Sequence, residues 1–264
     1  MSHARLVRNI LPSCCRSPAL ALHAASGPNQ WPDEALVPGF RGATTELFAA
    51  LALLSASLVE ALALCLGLPA TAFDTLFLTD TAERAHMQAS VNLYPAGAPA
   101  GEFGLGPHSD SGFLTLVLQQ PDHNGLEALL EPKGSAADTE ADRWLRVRIR
   151  RAGSVGVNLG EMLQLLTAGR MLATVHRVIP PPAPEDGGVD RVSVTYFHNP
   201  RLSAVVSPDA LAPDVRAALL SASTDGEAES GATSRSAVFY AGENPLLAEC
   251  ASSVTLLNCP RSAD

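Results

Sequence analysis

The sequence predicts a mainly β fold with accessory helices, arranged as a double-stranded β-helix, or jelly roll. From His86 onward, short runs rich in β-branched and aromatic residues alternate with loops rich in Pro, Gly and Asp, which is typical of an antiparallel sandwich. The residues before His86 show a helical pattern instead. Strands are expected over Met87–Leu93, Gly112–Gln119, Leu126–Leu130, Trp144–Ile149, Ser154–Leu159, Ala173–Ile179 and Val192–Phe197.

The length of the chain favours one domain with accessory segments. With 264 residues and 47% hydrophobic content, it can bury one substantial core. The predicted segments are a leader over residues 1–28, a helical support region over 29–85, the jelly-roll core over 86–205 and a C-terminal accessory segment over 206–264. Within the last segment we expect a flexible loop over 221–236, and a strand and helix over 237–257.

The first 26 residues form a basic leader. They include Arg5, Arg8 and Arg16, several Ser, Ala and Leu, and no acidic residue, which is the composition of mitochondrial and chloroplast transit peptides. We nevertheless expect a cytoplasmic protein with a disordered N-terminus, and a mitochondrial or chloroplast protein is the alternative. Five scattered cysteines without metal-type spacing indicate reduced thiols of an intracellular protein.

A long helix is predicted from Pro38 to the stop signal at Gly67-Leu68-Pro69. Its expected apolar stripe consists of Leu47, Leu51, Leu54, Leu58 and Leu62. The segment is apolar enough to suggest a transmembrane helix. Polar residues inside the span, such as Glu60, and the lack of aromatic or basic anchors at its ends favour a buried support helix and no membrane.

Charge and surface pattern argue against a polyanionic partner. The formal charge of -9 disfavours nucleic acid, because phosphate binding needs a basic surface. In Trp144–Ile149 the arginines alternate with Leu145, Val147 and Ile149, so we expect these apolar residues to face the core and the arginines to face solvent.

A His-x-Asp pair, His108 and Asp110, stands at the mouth of the apolar run after Gly112. If the pair lies on a strand, both side chains point to the same face. With a second imidazole from His176, this set makes the 2-His-1-carboxylate face that binds Fe(II) and leaves coordination positions open. A polar turn before a buried strand is the alternative. His86, His123 and His198 are predicted to be structural or surface residues.

Four motifs occur in a fixed order, and together they resemble one enzyme family. They are Asn-x-Tyr-Pro at 92–95, His-x-Asp at 108–110, His-Arg-Val at 176–178 and Arg-x-Ser at 191–193. In this order and context the chain resembles the isopenicillin-N-synthase-like branch of the Fe(II)/2-oxoglutarate dioxygenases. The resemblance runs from about Gly27 to Pro200.

The resemblance implies an iron enzyme that consumes 2-oxoglutarate and O2. Fe(II) is expected on His108, Asp110 and His176. Arg191 and Ser193 are expected to bind the C5 carboxylate of 2-oxoglutarate, since a planar guanidinium and a hydroxyl on one strand face suit a carboxylate. Asn92 and Tyr94 are expected to make further cosubstrate contacts. The implied reaction is oxidation, typically hydroxylation, of a small organic molecule.

The same comparison raises a second hypothesis. Members of the family usually carry a longer region ahead of the segment that matches Gly27, with strands and a helix that wall the substrate pocket. Without that region the core is expected to present an unpaired strand edge and an open pocket, and to self-associate. The alternative function is therefore a catalytically impaired jelly-roll protein that keeps its metal site.

Overall fold

The structure is a computed structural model that describes residues 29, 31–78, 85–99, 101–120, 125–129, 144–147, 154–221 and 239–240. The predicted leader, the loop over 221–236 beyond residue 221, most of the segment over 237–257, and residues His123 and Ile149 lie outside the described residues.

The described residues form four α-helices and ten β-strands. The helices are α1 (Phe40–Cys65), α2 (Asp74–Phe77), α3 (Glu161–Leu166) and α4 (Pro213–Ser221). The strands are β1 (His86–Tyr94), β2 (Leu105–His108), β3 (Leu114–Gln119), β4 (Leu126–Leu129), β5 (Trp144–Arg146), β6 (Gly156–Leu159), β7 (His176–Val178), β8 (Arg191–Asn199), β9 (Val205–Val206) and β10 (Phe239–Tyr240).

Two four-stranded antiparallel sheets form the core. The major sheet has the order β1-β8-β3-β6, and the minor sheet has the order β2-β7-β4-β5. Side chains from both sheets form one apolar cluster, in which Tyr94 and Val117 of the major sheet meet Leu126, Ala128 and Val178 of the minor sheet. The sheets therefore pack face to face, and the predicted mainly β fold with accessory helices is confirmed.

The two faces of the major sheet differ in chemistry. Its outer face, with Leu114, Leu116 and Tyr196, belongs to the main apolar cluster. Helix α1 packs on this face, where the rings of Phe48 and Tyr196 lie 5.1 Å apart. The inner face, toward the minor sheet, holds the site described below. Its buried polar side chains are Gln88, Ser90, Asn92, Thr115, Asn158, Arg191, Ser193 and Thr195.

The buried face of α1 differs from the predicted apolar stripe at the centre of the helix. The buried residues are Phe48, Leu51, Ser55, Val59 and Ala63, whereas Leu54 is 40% exposed. A polar residue holds the middle of the stripe because Ser55 Oγ lies 2.8 Å from Nδ1 of the buried His198. By length and composition, α1 is also long and apolar enough to cross a membrane.

Strand β2 was not predicted, because its Gly106-Pro107 pair is unfavourable in strands. His108 ends β2, and Asp110 lies in the turn before β3. The expectation that both residues share one strand is therefore wrong, and a turn brings them together instead.

The alternation in β5 is only partly as expected. Leu145 pairs with Ala128 across β5 and β4, which puts both side chains on the inner face. Leu145 is nevertheless 46% exposed, because β5 is the edge strand of the minor sheet among the described residues. Arg146 points to the other face and pairs with Glu127 at 3.4 Å.

Candidate functional site

His108, Asp110 and His176 converge between the two sheets. The histidines are direct partners in the register of β2 and β7, and their ring centroids lie 4.1 Å apart. Asp110 Oδ1 lies 3.8 Å from His108 Nε2 and 3.9 Å from His176 Nε2. The possible ligand atoms of the three residues all lie within 4.8 Å of one another.

Backbone carbonyls orient both imidazoles. His108 Nδ1 donates to the carbonyl of Gly106 at 2.8 Å, and His176 Nδ1 donates to that of Thr174 at 2.7 Å. A ring nitrogen that donates to a carbonyl carries the proton, so each Nε2 keeps a lone pair. Both Nε2 atoms are buried and have no hydrogen-bond partner among the described residues.

Burial keeps these imidazoles neutral. Desolvation lowers the pKa of His108, against the opposing effect of its bond to Gly106. Desolvation, followed by repulsion from His108, lowers the pKa of His176 to about 3. Neutral imidazole is the form that coordinates a metal ion, so both rings are ready ligands at neutral pH.

The Asp110 carboxylate is oriented by Thr115. Thr115 Oγ1 donates to Asp110 Oδ2 at 2.7 Å, while Oδ1 lies toward the two histidines. The turn that carries Asp110 rests on the start of α3, where the amide of Glu161 donates to the carbonyl of Asp110 at 2.8 Å and that of Met162 to Gly112 at 3.0 Å. Gly160 allows this approach, because a Cβ there would lie 2.0 Å from the carbonyl oxygen of Gly112.

Two neutral imidazoles and one carboxylate are the donor set of non-haem Fe(II) sites that keep positions open for substrates. The buried Nε2 atoms without a hydrogen-bond partner are what such an ion would satisfy. The residues present therefore fit an iron ion.

A buried cation lies at the other end of the inner face. Arg191 is fully buried, and its Nη2 donates to Gln119 Oε1 at 2.7 Å. Its Nη1 lies 3.4 Å from Ser193 Oγ, and its guanidinium lies 4.9 Å from the ring centroid of Tyr94. Burial lowers the pKa of Arg191, and the neighbouring Tyr94 opposes that shift.

The strand register explains why these side chains meet. Tyr94 is the direct partner of Arg191, and Ser193 lies between Asn92 and Gln119 in one row across three strands. Residues in such a row share one sheet face. Asn92, Tyr94, Arg191 and Ser193 are thus brought together, with Asn92 Nδ2 donating to Thr195 Oγ1 at 3.1 Å.

Sequence reasoning missed Thr115 and Gln119. Both interrupt the apolar run of β3 with a polar side chain, and their spacing of four residues puts them on the same face. These two polar residues in an otherwise apolar strand were the signal from which a polar site on this face could have been predicted. His198 is structural, as predicted, because it lies buried in the outer core, stacked on Phe77 with centroids 4.8 Å apart.

Comparison with known proteins identifies the family. The family model for the 2OG-Fe(II) oxygenase superfamily matches residues 85–200. A 2-oxoglutarate-dependent dioxygenase of Gibberella zeae is 33% identical over 191 residues, which cover 67% of this chain and 46% of that protein. Validamycin A dioxygenase of Streptomyces hygroscopicus subsp. limoneus is 32% identical over 187 residues, which cover 68% of this chain and 46% of that protein. The chain thus spans about half the length of these relatives.

A solved structure confirms the fold. A full-length protein of Neurospora crassa, crystallised in complex with alpha-KG, matches with a TM-score of 0.61 and 24% identity, over 84% of this chain and 61% of that chain. The fold of such neighbours is the double-stranded β-helix that the sequence predicts. The motifs, the geometry of the three candidate metal ligands and the family model agree, and this chain therefore belongs, through residues 85–200, to the 2OG-Fe(II) oxygenase superfamily.

Proposed function

We propose that the chain is a non-haem Fe(II)- and 2-oxoglutarate-dependent dioxygenase. It oxidises a small organic molecule, and the expected oxidation is a hydroxylation. The observation that carries the proposal is the set of His108, Asp110 and His176, whose ligand atoms converge in a buried site. Bound iron supplies the centre at which O2 reacts, with 2-oxoglutarate as the electron donor that becomes succinate and CO2.

The protein side chains divide the work along the inner face. His108, Asp110 and His176 hold the ion, and Thr115 keeps Asp110 Oδ1 turned toward it. Arg191 and Ser193 bind the C5 carboxylate of 2-oxoglutarate, because an unpaired carboxylate in a closed interior would be costly. Asn92 and Tyr94 complete that pocket.

Impaired catalysis is the less favoured alternative. It would leave the buried cation Arg191 without a use, and named relatives over this region are 2-oxoglutarate-dependent dioxygenases. The finer assignment to the isopenicillin-N-synthase-like branch rests on the order of the four motifs.

The test is succinate formation from 2-oxoglutarate by the purified chain with added Fe(II), without and with candidate small molecules. We expect turnover that His176→Ala abolishes together with metal binding, because two protein ligands rarely retain an ion in an open site. His86→Ala, at a histidine outside the ligand set, is the matched control. No succinate from the wild-type chain with bound iron would refute the proposal, and normal metal content in His176→Ala would refute the ligand assignment.

A further inference from the structure

Two buried oxygens near the metal ligands have no role in the proposed iron or cosubstrate sites. Asn158 Oδ1 and Thr174 Oγ1 are buried and have no hydrogen-bond partner among the described residues. Buried polar atoms are nearly always paired, so an unpaired one indicates a missing ligand or water. Both residues lie on the surfaces that enclose the site.

Asn158 lies at the metal end of the inner face. It is the direct register partner of Thr115, whose hydroxyl bonds Asp110, and residues paired in this way share a sheet face. Its Nδ2 donates to the carbonyl of Leu159 at 3.3 Å, and this contact fixes the orientation of the amide. Oδ1 is therefore the atom left to accept a hydrogen bond.

Thr174 approaches from the minor sheet. It stands two residues before His176, and the bond from the amide of Leu129 to the carbonyl of Val175 continues the β4–β7 ladder through this segment. Side chains two residues apart on an extended chain point to one face. Thr174 and the metal ligand His176 thus share the inner face of the minor sheet.

The cosubstrate end of the inner face lies in the opposite direction. Along β3 the chain runs from Thr115, beside Asp110, to Gln119, beside Arg191. Beyond β7, Ile179 bonds Gly125, where a Cβ would lie 3.6 Å from Arg191 Cδ. Because 2-oxoglutarate would extend from the metal toward Arg191, the end where Asn158 and Thr174 lie is left for the organic substrate.

We propose that Asn158 and Thr174 bind a hydroxyl or N–H group of the organic substrate, an inference that rests on the proposed function. An Asn oxygen only accepts, whereas a Thr hydroxyl both donates and accepts, so a substrate hydroxyl suits either residue chemically. Among the buried residues that the structure describes, Arg191 is the only cation, and it lies at the cosubstrate end. Neither Asn158 nor Thr174 carries a charge, so the group they bind is neutral and lies near the carbon that is oxidised.

The test compares benzyl alcohol with benzyl methyl ether, two probes that differ in the hydroxyl donor. The chain is loaded anaerobically with Mn(II) and 2-oxoglutarate, and broadening of the probes' methylene protons by Mn(II) gives both proximity and affinity, with Zn(II) as the diamagnetic reference. We expect benzyl alcohol to bind near the metal and more tightly than the ether. Asn158→Leu and Thr174→Val should each weaken it about five- to tenfold, which is the usual effect of one hydrogen bond to a buried group.

Controls separate this effect from damage to the site. Unchanged dissociation constants for Mn(II) and 2-oxoglutarate show that each variant is folded. Ser90→Ala removes another buried hydroxyl without a hydrogen-bond partner among the described residues, on β1 at the opposite edge of the major sheet, and should not affect the probes. In Asn158→Asp the preference should move to benzylamine, because the acceptor is then charged.

Equal affinity for the two probes, absence of broadening, or an equal loss in Ser90→Ala would overturn the inference and indicate that the two oxygens bind water only. Each of these results is compatible with succinate formation by the wild-type chain. Failure of this subsite and failure of the proposed function are therefore distinguishable.

Discussion

Thr115 Oγ1 donates a hydrogen bond of 2.7 Å to Asp110 Oδ2, and this bond decides which carboxylate oxygen lies toward the two histidines. Thr115 comes from β3 of the major sheet, whereas His108 and His176 come from the minor sheet. The hydroxyl thus links the sheet that lacks the histidines to the ion-binding group. The same bond occupies Asp110 Oδ2, which would otherwise compete with Oδ1 for a metal ion.

We expect Thr115→Val to weaken Fe(II) or Mn(II) binding about 10- to 100-fold, as is usual when a residue that orients a metal ligand is removed. The side chain keeps its shape, so the fold should be retained. Anaerobic metal titration is the measurement. Thr195→Val is the matched control, because its hydroxyl accepts from Asn92 rather than from a metal ligand, and its metal affinity should be normal.

Arg191→Leu should leave metal binding unchanged and should abolish the binding of 2-oxoglutarate, since breaking a buried charge pair costs roughly 3–5 kcal/mol. Gln119→Leu should have a smaller effect, about tenfold, because Gln119 orients the guanidinium through one charge-assisted bond. Anaerobic titration with 2-oxoglutarate in the presence of Mn(II) measures both. The exposed Arg170→Leu serves as control, and unchanged cosubstrate affinity in Arg191→Leu would show that the carboxylate binds elsewhere.

Gly160→Ala should push the Asp110 turn away from α3. The added Cβ would meet the carbonyl of Gly112, and overpacking of this kind costs about 1–3 kcal/mol. We expect lower stability in urea and weaker metal binding together. In Gly42→Ala, at a helical position with nothing within 4 Å, stability should instead rise by up to about 1 kcal/mol, with no change in metal affinity. A stable Gly160→Ala chain with normal metal affinity would show that the turn does not depend on this contact.

His198 makes the fold sensitive to acid. Burial lowers its pKa to about 4 in the folded chain, against 6.5 for an ordinary histidine. As pH falls below 6.5, His198 takes up a proton in the unfolded chain but stays neutral in the folded chain. The contribution of the neutral His198 to the free energy of unfolding is therefore fully present above pH 6.5 and is lost as pH falls to about 4. The loss is on the order of 3 kcal/mol.

Urea unfolding at several pH values tests this prediction. The paired substitution Ser55→Ala with His198→Phe removes the titrating ring and its bonding partner together. We expect the difference in stability between the two proteins to change with pH over this window and to be constant above it. A difference that does not vary with pH would show that His198 titrates normally.

The main features of the site could be predicted from the sequence, because short motifs carry it. Alternation within a strand places Asn92 with Tyr94, and Arg191 with Ser193, on one face. That the two pairs of proposed cosubstrate residues meet depends on the register of β1 with β8. Thr115 and Gln119 were missed because each is an ordinary polar residue whose role depends on a cross-strand partner. A turn at His108 and Asp110 was only the alternative to a strand that carries both residues, because Gly106-Pro107 conceals strand β2, which pairs with β7. The buried face of α1 was shifted because a hydrogen bond to His198 outweighed hydrophobicity at Ser55.

The pairing of β2 with β7 would give a bound metal ion a second, structural role. This ladder is short and its register is irregular between Leu105 and His108, and Pro107 has no amide to donate. A slip of one residue would turn His108 to the outer surface and separate it from His176. An ion bound to both histidines would prevent that slip and would hold the two strands in register. Amide hydrogen exchange in β2 should accordingly slow when metal is added, even without cosubstrate.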